Sequence, residues 1–214
     1  MKQIFVILAF TITMLCLPQL VHSVVNASEN MVEVVQVAIQ ELAPRVSDER
    51  AEELAEYITE HAEESEIDPL LVTAIIMRES SFSYAMQTGK RVGPPPQNCV
   101  GLMQIYPYGA AHKLGGFLDL TDADVNIRTG VMWLEYVGSV CGDTHWQWVA
   151  AYGRSECPDY HTARRDDAAI TARRLYCQIR SDCQEFWPRW EKRDGRGRLW
   201  IPPRSKLTNI DSRG

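Results

Sequence analysis

The chain has 214 residues, of which 45% are hydrophobic and 23% charged, with a formal net charge of −6. That is enough apolar material for one good core and not for a second. The acidic balance excludes nucleic acid as a partner selected by charge.

The N-terminus reads as an export signal. Lys2 precedes the apolar run Ile4 to Leu17, then come Pro18 and small residues at two cleavage positions. Residues 1–23 are therefore expected to be a signal peptide, cut after Ser23 or Ala27. A retained membrane anchor is the competing reading. Pro18 interrupts the run, which falls short of the roughly 20 residues a span needs, so no stable membrane span is expected after cleavage. Cys16 follows Met14-Leu15 rather than a small residue, which argues against a lipoprotein signal. The expected location is periplasmic or secreted.

Residues 24–44 read as an acidic N-terminal segment, the start of a stretch from Glu29 to Asp68 that holds 13 acids against Arg45 and Arg50. A single domain follows over 45–190, with helical spacing throughout and no strand-like alternation of useful length. Ser47 can cap a helix whose Ala51, Leu54, Ala55, Ile58 and Ala62 make an apolar stripe. Asp68 and Pro69 are a sharper start, opening a helix that is apolar on nearly every side from Leu70 to Met77. The prolines at 94–96 make Thr88 to Asn98 a loop. Further helices are expected from Asp124 to about Val137, Thr144 to Tyr152 and Ala163 to Ile179, with Gly115-Gly116, Gly138 and Gly142 punctuating between them. Residues 191–214 read as a basic, flexible tail.

Export leaves Cys99, Cys141, Cys157, Cys177 and Cys183, an odd count in an oxidising compartment. Disulfides are the default. Zinc through Cys157 and His161, or through Cys177 and Cys183, is the weaker alternative because neither spacing is a recognised ligand pair. No metal or cofactor is expected.

Glu79 is the strongest chemical signal. It ends the buried helix on the face of Leu71, Val72, Ile75 and Ile76. Lost hydration and the negative helix end both favour its protonated form, as a general acid near neutral pH requires. The bland reading is a helix-end glutamate that turns to solvent or pairs with Arg78.

Four blocks, taken together, resemble the soluble-type lytic transglycosylase domain, which is related to goose-type lysozyme. They are Glu79-Ser80-Ser81-Phe82, Gly101-Leu102-Met103-Gln104-Ile105 followed by Pro107, Asn126 with Gly130 and Trp133-Leu134, and Ala150-Ala151-Tyr152. The resemblance implies an all-α, lysozyme-like single domain with flexible termini, acting on peptidoglycan glycan strands. Glu79 would be catalytic, with Ser80, Met103, Gln104 and Tyr152 binding substrate. Ser80 would orient Glu79 or the substrate acetamide, and Tyr152 would pack on Glu79 and donate toward it or the sugar. For Asn126 the structural role is favoured, and Trp133, Trp146 and Trp148 are expected mainly in the core. The resemblance also implies a one-glutamate route to a 1,6-anhydromuramyl product. A secretion or conjugation machine is a conceivable partner.

The sequence departs from the family pattern in three places. Gly153 stands where the family has asparagine, the approach to the second block is proline-rich, and Cys99 and Cys157 flank two of the blocks. A Cys99–Cys157 bridge across the groove is one hypothesis. Three rival readings stay open: a goose-type hydrolase using Asp119, Asp122, Asp124 or Glu156 as base, a non-catalytic wall-binding module, and a partner-binding helical domain.

Overall fold

The computed structural model describes residues 31–89, 98–114, 119–141, 144–154, 157–180 and 183. The expected signal peptide, most of the proline-rich loop and the expected basic tail lie outside these residues. The described chain is all-α, and no helix in it is long and apolar enough to cross a membrane.

Helix α1 spans 31–42. Its Val35, Ala38 and Ile39 are buried in the common core, as is Ala43 just beyond it. This corrects the expected domain start at 45. The acids of the 24–44 segment masked a stripe at i, i+3 and i+4 that is part of the domain. Helix α2, Asp48–Glu64, begins as read, with the Ser47 side chain accepting from the Arg50 amide and the expected stripe buried. Helix α3, Pro69–Ser80, is buried from Pro69 to Ile76, because it is packed between α2 and a later helix. Asp68 caps it and also ties it across the domain: its carboxylate accepts from the Leu70 amide, from Tyr176 Oη at 2.6 Å and from Arg180.

A short helix α4, Tyr84–Gln87, and a π-helical turn, Pro107–Ala111, flank the loop that carries the second sequence block. Helix α5, Ala123–Val140, starts at the Asp122 cap, and α6, His145–Tyr152, starts at the Thr144 cap. The helix expected from 163 to 179 is divided. Asp166 accepts from the Ala168 and Ala169 amides and so starts a new helix α8, Asp167–Ile179, after the single turn α7, Tyr160–Ala163. Helix α8 covers α3, while α2 and α6 pack on α5. His61 Nε2 meets Asp124 Oδ1 at 2.5 Å, joining α2 to α5.

The cysteines pair as Cys141–Cys157 and Cys177–Cys183, and Cys99 is free. This corrects the Cys99–Cys157 hypothesis. Because α6 folds back on α5, the chain just past α6 returns to the end of α5, and the Cys141 and Cys157 Cα atoms lie 4.8 Å apart. The cysteines considered for zinc, Cys157 beside His161 and the pair Cys177 and Cys183, are all engaged in these disulfides.

Candidate active site

Glu79 occupies the last turn of α3, which ends in a tight reversal. Ser81 (φ 52°) and Phe82 (φ 54°) both adopt the left-handed region, at a cost of about 1–3 kcal/mol each for residues with a Cβ. Burial of Phe82 and a hydrogen bond from Arg45 to the Ser81 carbonyl, 3.1 Å, hold the turn in place. The reversal stops α3 at the rim of a cavity of about 370 Å³, into which Glu79 faces.

The Glu79 side chain is only 15% exposed and forms an ion pair with Arg78. Burial pushes its pKa up and Arg78 pulls it down; burial is the larger effect, so the acid holds its proton above the ordinary carboxylate range. The two readings of Glu79 from sequence thus coexist, an acid in an apolar site and a partner of Arg78.

The floor of the cavity is the loop 100–105, closed by a pair of 2.9 Å hydrogen bonds between Val100 and Ile105. Asn126 on α5 holds it from below. Its carbonyl accepts from the Met103 amide at 2.8 Å, and its amide donates to the Val100 and Leu120 carbonyls at 3.0 Å each. Gly101 (φ +84°) makes room for that amide. One helical turn further along α5, a Cβ on Gly130 would come within 2.3 Å of the Met103 sulfur. Two small or polar positions of α5 are therefore moulded to this loop.

Tyr152, at the end of α6, closes the wall. Its hydroxyl donates to the Met103 carbonyl at 2.8 Å, and Trp133 Nε1 donates to the Tyr152 carbonyl at 3.0 Å. Burial first, then the charge of Glu79, push the Tyr152 phenol well above its usual range, so it remains a donor.

The five residues singled out from sequence divide in two. Glu79, Gln104 and Tyr152 line the cavity together. Gln104 is fixed by a 2.8 Å hydrogen bond from its amide to the Gly101 carbonyl. Ser80 is buried and its hydroxyl donates to the Ile76 carbonyl at 3.2 Å, one turn back on its own helix, rather than to Glu79. Met103 is fully buried beneath the floor and packs against α5. Arg78, Cys99, Tyr106, Lys113, Trp133 and Arg154 also line the cavity. Of these only Trp133 belongs to a recognised block. Burial and the nearby Glu79 charge keep the Cys99 thiol protonated. Gly153 forms part of the wall, and a Cβ there would meet nothing within 4 Å.

The aspartates considered as hydrolytic bases are engaged elsewhere. Asp119 is bonded to Thr121, Asp122 caps α5, and Asp124 meets His61. Among the described residues, Glu79 is the one acid that lines the cavity. Glu156 lies outside them.

The family model for the transglycosylase SLT domain matches residues 56–170, from α2 into α8. The chain belongs to this family. Membership implies peptidoglycan processing of the lytic-transglycosylase type, consistent with the lysozyme-like, all-helical architecture. No curated protein and no solved structure matches the chain.

Proposed function

We propose that the chain is an exported peptidoglycan lytic transglycosylase with Glu79 as its acid and base. The observation that carries this reading is a single proton-holding carboxylate, Glu79, facing a cavity whose floor and wall are built from the family's motif residues.

Glu79 protonates the oxygen between N-acetylmuramic acid and N-acetylglucosamine, and the muramyl C1–O bond breaks. The adjacent 2-acetamido oxygen stabilises the positive charge that develops at C1. Glu79, now a carboxylate, takes the proton of the muramyl 6-hydroxyl as that oxygen closes on C1 to give the 1,6-anhydro ring. The cycle returns Glu79 to its protonated state and needs one carboxylate. An inverting hydrolase needs a second about 6.5–9.5 Å away, and a retaining one about 5–5.5 Å away.

Mass spectrometry of muropeptides released from purified peptidoglycan tests the reaction. Anhydromuramyl ends are expected. Reducing ends would mean hydrolysis and would direct attention to Glu156.

A further inference from the structure

Among the described residues, three cationic side chains line the cavity around Glu79, and two of them are committed. Arg78 pairs with Glu79. Arg154 pairs with Asp166, itself anchored by the α8 amides. Lys113 differs. It is exposed, and among the described residues no carboxylate pairs with it. Its nitrogen lies 5.5 Å from the ring centroid of Trp133 and 5.8 Å from that of Tyr136. Those two rings are themselves stacked, with centroids 5.2 Å apart and planes 21° from parallel.

Aromatic faces attract an ammonium but accept none of its hydrogen bonds in full, so they hold Lys113 in place while its donors stay available. The result is a positive charge held on the wall of the cavity with no carboxylate partner among the described residues. The N-acetylated sugars of a glycan strand are neutral. Negative charge on such a strand resides on the lactyl group of muramic acid, either as its free carboxylate or as carboxylates of an attached peptide.

We infer that Lys113 is a specificity-determining residue that binds a carboxylate carried by the muramyl lactyl group or its peptide, so that the cavity selects anionic strands over neutral chitin-like ones. The inference rests on the peptidoglycan reading above and adds the charge requirement to it.

The test measures binding in the full-length Glu79→Gln chain, which separates affinity from turnover. Three ligands of matched length are compared: strands bearing peptides, strands stripped by an amidase to free lactyl carboxylates, and chitin oligosaccharides. Adding Lys113→Gln should weaken both anionic ligands about 3- to 10-fold, the range of a partly solvated ion pair, and leave chitin unchanged. Lys113→Arg should restore the affinity. A loss confined to peptide-bearing strands assigns the carboxylate to the peptide, a loss confined to stripped strands assigns it to the free lactyl group, and a loss on both means that Lys113 takes either. Equal affinity for all three ligands, or equal weakening of chitin, overturns the inference. Turnover by the chain with Glu79 intact is scored in parallel: anhydromuramyl products with no charge selection would leave the enzymatic reading standing and remove this one.

Discussion

A Cβ placed on Gly101 would lie 1.8 Å from the side-chain nitrogen of Asn126, so the two residues interlock the cavity floor with α5. The positive φ of Gly101 and the three hydrogen bonds of Asn126 are parts of one joint. Asn126→Ala removes the partner of the buried Met103 amide and of the Leu120 carbonyl, while the Val100 carbonyl keeps its bond from the Ile105 amide. It should cost about 2–4 kcal/mol and lower Tm by roughly 5–10 °C. Calorimetry showing no loss would mean that the loop does not depend on Asn126.

The two disulfides should differ in worth. Cys141–Cys157 closes a 16-residue separation around α6, and Cys177–Cys183 closes one of 6. Loop-closure entropy gives about 3 kcal/mol for the first and about 2 kcal/mol for the second. The first also braces the wall that carries Tyr152, so the double serine variant at 141 and 157 should lose more activity as well as more stability. Urea unfolding of both double variants checks the order, and a reversed order contradicts it.

The raised pKa of Glu79 has a stability consequence with a defined sign. The folded chain holds this proton more tightly than the unfolded one, so stability falls as pH rises from the ordinary carboxylate range through the raised value. Glu79→Gln should remove that fall, which makes it stabilising near neutral pH and near-neutral to stability in acid. Paired thermal melts across pH read this directly. A constant difference between the two chains at every pH would contradict it.

Arg78 opposes the burial effect, so Arg78→Gln should raise the pKa further. A general acid works only while protonated, and the alkaline limb of kcat/KM should therefore move to higher pH. A shift to lower pH, or no shift, would mean that the ion pair does not govern the reacting proton.

Most of the helices were legible in the sequence because their caps are local. Ser47 and Asp68 sit where short-range hydrogen bonding demands them, and each caps its helix as read; Thr144, read as the start of a helix, is its cap. Helix α1 was obscured by its acidic neighbourhood, and the break at Asp166 by the continuous helical spacing around it. Within the cavity, Glu79, Gln104 and Tyr152 were found through motif spacing and come together in space. Lys113 and Arg154 carry no local signature; their place depends on how the π-helical turn and α6 pack around α5. Met103 and Ser80 show the converse. A motif residue can be required by packing, as Met103 is by Gly130, without lining the cavity.

The most direct test of the account is muropeptide release from purified peptidoglycan by the chain beside its Glu79→Gln variant. The account predicts anhydromuramyl products from the first and a loss of at least about 100-fold in the second, with the fold intact by circular dichroism. Comparable product from both chains would contradict the assignment of Glu79 as the acid and base.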